Sequence, residues 1–463
     1  MTLRPSFLPS LRSALRSIRK SGTSPLRTAL WFSAVLVAVA GAQREPDADG
    51  LRGPDGPVTY EAILLPGPSP DTLAVDIHYR IEQSFFVFLR TPQGRVVAQG
   101  ELLVELAGKN GSATAREVRP IQIERATEPA TGEELPALQD RIRFFLPPGT
   151  YTIVVEVKAF ESERRFLERR RTLEIEPVTG PALLQKPLVG FREPATGDVI
   201  PFNRGGGCVF GSSGGMVIHF RPHSASPQIL SWRLTGRASE GGSDKVDIRG
   251  ADTVLMRRTL AYVGSGDRLA YRPESSPDTA WGSAFLPLPI EQLEPGAYTI
   301  DAVLADGSAR VARTYRLSVT WPRRPLSLTQ FDIAVDALRH IADPAEIDDM
   351  VGFFADGGDE RFQDFWRRRD PDSTTAYNPA MEEYYRRVDD AVRRFSTRGG
   401  ADGYKTDRGR ILILFGAPTT SQRIFRPNTG PREIWVYEHL KKRFIFTDPS
   451  RTGEYILSQT EDL

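Results

Sequence analysis

Cysteine is almost missing from this chain: Cys208 stands alone among 463 residues. No intramolecular disulfide can form, so packed cores must hold the fold. Low-complexity sequence is missing too, because glycine and proline stay below the roughly 25–30% that marks disordered repeats. With 40% apolar and 26% charged residues, most of the chain is expected to fold. Histidine is scarce, and His78, His219, His223, His340 and His439 are scattered. No pair has the spacing of a helical metal site, and Pro222 argues for a loop between His219 and His223, so neither metal nor cofactor is expected. Beyond Ala42 no apolar run approaches the roughly 20 residues that cross a bilayer as a helix. From there on the chain is expected to be soluble or peripheral to a membrane.

A balance of charge hides an asymmetry. The net charge of +1 includes Arg4, Arg12, Arg16, Arg19, Lys20 and Arg27, with no acid among the first 42 residues. Behind these bases lies Thr28–Ala42, an apolar run of about 15 residues ending in Ala40-Gly41-Ala42, the small-residue pattern of a signal-peptidase site. Residues 1–42 are therefore read as a signal peptide, 43–57 as a flexible leader, and the protein as exported to the periplasm or cell surface. Removing the signal leaves a mildly acidic chain near −5, which gives no electrostatic reason to expect nucleic-acid binding.

Strand signals dominate the next 260 or so residues. Ala74–Arg80 alternates, Ser84–Leu89 is a β-rich run, and Thr91-Pro92-Gln93-Gly94 is a turn. The order Pro148-Gly149-Thr150-Tyr151-Thr152-Ile153 followed by a second strand recurs as Pro295-Gly296-Ala297-Tyr298-Thr299-Ile300 followed by another. This repeat predicts two copies of an immunoglobulin-like β-sandwich, at 58–180 and 181–322, each closing with a hairpin. Inside the second, the stretch from Asn203 to Gly215 is glycine-rich. A strand-like Met216–Phe220 follows it where a phosphate loop would need a helix, and Gly-x-Ser-x-Gly is absent, so a bulged loop is expected, with Cys208 buried. The mixed-charge run Glu163–Arg171 is read as a solvated hairpin end.

From 326 to 463 the period changes to about 3.6, predicting an α+β domain with helices packed on a small antiparallel sheet. Asp343-Pro344-Ala345-Glu346 is a capping box, and Asn378-Pro379 opens a helix with an apolar stripe from Met381 to Phe395. Its other face offers Glu382–Arg386, Glu383–Arg387, Asp389–Arg393 and Asp390–Arg394 at i,i+4. Arg410–Phe415 is read as a strand buried on both sides.

Several ordered pieces of this region resemble the GWxTD family: Phe365-Trp366, Asp370-Pro371, Asn378, Tyr384–Val388, Thr406-Asp407-Arg408-Gly409, Gly416-Ala417-Pro418 and Trp435-Val436-Tyr437. Tyr404 stands where the family has tryptophan. The resemblance implies an exported protein with this domain last, commonly behind β-rich modules, and no established reaction. Three readings of the signature stand side by side. In the structural one, Thr406 and Asp407 bond to local backbone and Arg408 ties the turn to helix carboxylates. In the binding one, Tyr404, Thr406, Asp407, Arg408, Trp435 and Tyr437 face a protein or glycan of the cell envelope. In the catalytic one, an exported hydrolase uses Asp402 and Asp407 as acid and base with Arg408 stabilising charge. No histidine, metal set or nucleophile accompanies these carboxylates, so a non-enzymatic interaction or assembly protein is the expectation.

Overall fold

The computed structural model describes residues 56–463 apart from 70, 110–112, 128–134, 239–245, 255–256, 265–267, 277–278, 353–357, 397–399, 401 and 427–428. The segment expected to be a signal peptide and nearly all of the expected leader lie outside the described residues. The chain is mainly β, with a helical segment and a small antiparallel sheet at its C-terminal end.

The first sandwich contains β1 (Val58–Ser69), β2 (Thr72–Glu82), β3 (Leu89–Arg90), β4 (Val96–Gly108), β5 (Ala113–Arg125), β6 (Ala137–Leu146), β7 (Gly149–Ala159) and β8 (Arg165–Ile175). One sheet runs β1-β2-β6; in the other β4 is flanked by β5 and by β7, with β8 beyond. Alternation along β2 sends Val75, Ile77 and Ile81 into a core shared with Leu102, Val104, Val155 and Leu173 of the facing sheet. The expected strand over Ser84–Leu89 is largely replaced. Gln83–Phe85 makes a 3-10 turn, Phe85 and Phe86 pack edge to face at 5.4 Å, and only Leu89 and Arg90 pair as strand. Two adjacent aromatics buried on the same side cannot alternate across a pleat.

The second sandwich contains β9 (Ala182–Leu183), β10 (Leu188–Arg192), β11 (Val199–Pro201), β12 (Cys208–Val209), β13 (Gly214–Arg221), β14 (Gln228–Ala238), β15 (Val246–Val254), β16 (Arg258–Tyr262), β17 (Tyr271–Ser275), β18 (Gly282–Leu288), β19 (Gly296–Asp306) and β20 (Ala309–Thr320). Its path β10-β13-β18 repeats β1-β2-β6, and β15-β14-β19-β20 repeats β5-β4-β7-β8. The repeated sequence has a repeated physical role. Tyr151 in β7 donates its hydroxyl to the carbonyl of Pro147, Tyr298 in β19 to that of Glu294, each four residues back and each at 2.8 Å. These are tyrosine corners, which fix the entry into the closing hairpin. The mixed-charge run Glu163–Arg171 does not end the hairpin; most of it continues as β8.

The two sandwiches share a seam. The outward face of β1 and β2 supplies Ile63, Leu65 and Ala74 to a cluster with Leu188, Val199, Val217, Leu260 and Tyr271 of the second sandwich. Trp281 packs into the core of the first. Strands buried on both faces explain why Ile63-Leu64-Leu65 is continuously apolar.

The C-terminal domain contains α1 (Phe331–Ala337), α2 (Pro344–Gly352), α3 (Gly358–Arg367), α4 (Pro379–Phe395), α5 (Asp407–Phe415) and the sheet β21 (Thr420–Arg426), β22 (Thr429–Tyr437), β23 (Lys442–Thr447), β24 (Ile456–Asp462), paired in that order. Asn378 caps α4 by accepting from Met381 N at 3.0 Å, and its amide donates to Trp366 O at 2.8 Å. Only half of the acid-base ladder on α4 forms as expected. Glu383 takes both Arg386 and Arg387, and Asp390 takes both Arg393 and Arg394. Glu382 accepts instead from the Trp321 indole at 2.9 Å, and Asp389 from the backbone N–H groups of Leu326 and Ser327. Two acids thus fasten the helix to the chain entering the domain.

The predicted strand at 410–415 is a helix. Thr406 caps α5 by accepting from Gly409 N at 3.0 Å, and Gly416, at φ 78°, stops it. A five-residue apolar run looks the same as buried strand or buried helix, and here the cap decides.

Candidate functional site

The signature segment is built tightly against α4. Gly403–Lys405 forms one 3-10 turn, and a Cβ on Gly403 would overlap the carbonyl oxygen of Ala391. A Cβ on Gly409 would overlap the carbonyl of Gly403 in turn. Neither position has room for a side chain, so backbone contact rather than backbone dihedral demands glycine here. Thr406 uses its hydroxyl twice, donating to Gly403 O at 2.8 Å while capping α5.

Tyr404 points inward. Its hydroxyl donates to Asp336 of α1 at 2.5 Å, and His340 Nε2 donates to its carbonyl at 2.9 Å. Lys405 pairs with the same Asp336 at 2.7 Å. Burial works against the charged Asp336, but Lys405, Tyr404 and Arg339 outweigh it and hold its pKa down to about 2. Burial, with Asp336 adding to it, pushes the Tyr404 phenol well above its ordinary value.

Arg408 is the centre of the arrangement. Its guanidinium lies between the rings of Phe395 at 4.7 Å and Tyr455 at 4.2 Å, pairs with Glu433 at 3.1 Å, and donates to Gly453 O at 3.0 Å. Glu433 is shared: it accepts from the Trp435 indole at 2.9 Å and faces Arg423 at 3.4 Å. Arg408 therefore ties α5 to a strand carboxylate, where helix carboxylates were expected. Asp407 accepts from Leu457 N at 2.8 Å and pairs with Arg410 at 3.2 Å, clamping the start of α5 to β24. Tyr437 donates to Gly416 O at 2.8 Å.

Tyr404, Thr406, Asp407, Arg408, Trp435 and Tyr437 thus converge in one domain, with Arg408, Glu433 and Trp435 directly linked. They do not make an open face. Arg408 is 8% exposed, and Tyr404, Trp435 and Tyr437 are buried. The periodicity of β22 makes the reason plain: Trp435 and Tyr437 point with Phe444 and Phe446 toward the helices. As acid and base, Asp402 and Asp407 would need a free carboxylate, and that of Asp407 is occupied by a backbone N–H and an arginine.

Sequence reasoning missed a second polar centre, at the seam between the sandwiches. Tyr271 donates to Asp76 Oδ2 at 2.6 Å, and His78 Nε2 lies 2.6 Å from the same hydroxyl. Arg143 grips Asp76 through two nitrogens at 2.6 and 2.7 Å, Arg141 reaches it at 3.2 Å, and Arg141 also covers the Tyr262 ring. Burial drops His78 to about 4. Burial opposes the Asp76 charge, yet Arg143 and Tyr271 prevail and lower its pKa. The signal in the sequence is Asp76 and His78 alternating with the apolar Val75, Ile77 and Tyr79 along β2. Among the described residues no three His, Cys, Asp or Glu side chains form a metal-ligand group, and no helix is long and apolar enough to cross a membrane.

Residues 303–462 match the GWxTD domain family. No curated protein matches the chain. Among solved structures, Escherichia coli alpha-2-macroglobulin activated by porcine elastase is similar at 8% identity and a TM-score of 0.16, over 55% of this chain and 27% of that one. The chain thus spans about a quarter of that protein's length.

Proposed function

We propose, starting from a chain whose C-terminal region is a GWxTD domain, that this is a non-enzymatic protein of the cell envelope that docks a partner protein on that domain. The observation that carries the reading is the enclosure of Arg408 between Phe395 and Tyr455 with Glu433 as its partner. A signature committed to internal bonds supports a platform, and a platform presents something else. The basic, apolar and small-residue order of residues 1–42 supports export to the periplasm or cell surface.

The partner surface is placed on β21, the edge of the C-terminal sheet. Among the described residues no strand pairs with its outer side, and Phe425 is 71% exposed beside the exposed Arg423. A free edge with an aromatic anchor suits an extended protein segment added as a fifth strand. A glycan partner would instead call for stacking aromatics in a groove, and Tyr404, Trp435 and Tyr437 are buried. The test is co-purification from an envelope fraction at high salt with Phe425→Ser and Phe425→Asp chains. Loss of a companion protein at unchanged melting temperature supports the reading; retention of it by both variants removes β21 as the site.

A further inference from the structure

The glycine-rich stretch that precedes β13 holds a carboxylate. Glu61 lies on β1 of the first sandwich, on the face that looks across the seam, and is 8% exposed. Its Oε2 accepts from Gly205 N at 3.0 Å, and the backbone N–H groups of Gly206 and Arg204 lie near enough to favour its charged form. Asn203, Gly205 and Gly206 have φ of 53°, 64° and 85°. Left-handed residues in close succession turn neighbouring N–H groups toward one point, which makes a backbone nest for an anion. Burial raises the pKa of Glu61, and the three N–H groups act against that rise. Beside the nest, Asn203 is 2% exposed and its side-chain Oδ1 and Nδ2 are both without a hydrogen-bond partner.

We propose that this loop is an anion-binding site for a carboxylate or small oxoanion, and that its resident ligand is Glu61 of the neighbouring sandwich. The phosphate-cradle reading of the glycines fails for want of a helix, yet the nest itself needs none. The loop is anchored to be useful in this way. Gly207 fits against Ser318 with no room for a Cβ, Cys208 and Val209 pair in parallel with β20, and Phe210 N donates to Thr320 O at 2.8 Å. Gly211, at φ 83°, then lies against the Tyr377 ring of the C-terminal domain. One loop therefore grips the first sandwich by an anion, the second by strand pairing and the third domain by an aromatic contact. The site stands apart from β21 and does not depend on the partner reading.

The experiment removes the resident and offers substitutes. In the full chain, Glu61→Ala leaves the nest empty; acetate and inorganic phosphate are then titrated against chloride at matched ionic strength. The melting temperature of Glu61→Ala is expected to fall by about 5 °C and to recover saturably with acetate or phosphate. Protection of the Gly205 and Gly206 amides from hydrogen exchange should be lost and regained in parallel. Wild type, with the site filled, should show neither response. Identical anion responses in wild type and variant, or unchanged amide protection in Glu61→Ala, overturn the proposal. If Glu61→Ala does not fold, Glu61→Gln keeps the shape with a single neutral acceptor. It should show partial loss of protection at the same two amides, and full retention would equally overturn the proposal.

Discussion

Tyr271 in the second sandwich and Asp76 in the first are joined across 195 residues of sequence by a 2.6 Å hydrogen bond in which the phenol donates. His78 lies against the same hydroxyl, so one oxygen carries two of the seam's polar contacts. Tyr271→Phe keeps the ring and removes that oxygen, leaving a buried carboxylate and a buried imidazole each short of a partner. A loss of about 1–3 kcal/mol is expected in urea unfolding, with faster hydrogen exchange along β2 and β17.

The seam should weaken in acid. His78 is neutral in the folded chain, with a pKa of about 4, against about 6.5 in the unfolded chain. Unfolded molecules thus take up a proton as pH falls through 6.5, and stability declines from there to about 4. His219, lowered by burial to about 3, adds in the same direction. Asp76, with its pKa lowered, extends the loss to still lower pH, because its stabilising charge disappears only on protonation in the fold. His78→Asn should flatten the decline between pH 6.5 and 4 by about 3 kcal/mol at most. An unchanged pH profile would remove His78 as its origin.

Arg408→Ala should be among the costliest single changes in the C-terminal domain. It strips the buried guanidinium from Glu433, leaving the Trp435 indole and the more exposed Arg423, and empties the space between Phe395 and Tyr455. Breaking a buried pair from one side costs about 3–5 kcal/mol. Arg408→Lys retains charge but not the planar stack, and should recover only part of that in thermal unfolding.

Asp407→Asn separates the structural role from the catalytic one. An amide oxygen can still accept from Leu457 N, so only the partly exposed pair with Arg410 is lost, about 0.5 kcal/mol. Asp407→Ala loses both, and should cost about 1–2 kcal/mol. A normally folded Asp407→Asn chain that has lost a hydrolytic turnover shown by wild type would reverse the assignment.

Gly403→Ala and Gly409→Ala test the close packing of the signature. Each new methyl meets a backbone carbonyl that cannot swing away, so about 1–3 kcal/mol should be lost at either position in urea unfolding. Gly403 is not left-handed by φ, so alanine fails there by contact alone.

Much of the architecture is legible in the sequence because its signals are local. Pro-Gly-x-Tyr-Thr-Ile marks both closing hairpins, and the shared tyrosine corner shows what the repeated tyrosine does. Asn378 with Pro379 opens α4, and the Asp343 N–H donates to the Glu346 carboxylate in the capping box. Sequence misleads where one local pattern is compatible with two structures. Ile411–Phe415 suits strand or helix, and only the bond from Gly409 N to Thr406 chooses. The candidate site shares this fate: aromatics and an arginine near a conspicuous motif look like a surface until their partners are known. Those partners, Asp336, Phe395, Glu433 and Tyr455, come from four separate parts of the domain.

The region that matches the family opens at residue 303, inside β19, whose pairing with β14 and β20 closes the second sandwich. A polypeptide truncated there would keep β20 but lose the sheet that covers Tyr315, Leu317 and Val319. One truncated later, after Trp321, would bare Tyr377 and free Glu382 from its indole. The stretch that is recognisable by likeness and the packed unit it belongs to are therefore different lengths of chain, and recombinant work on this domain should begin upstream of β9.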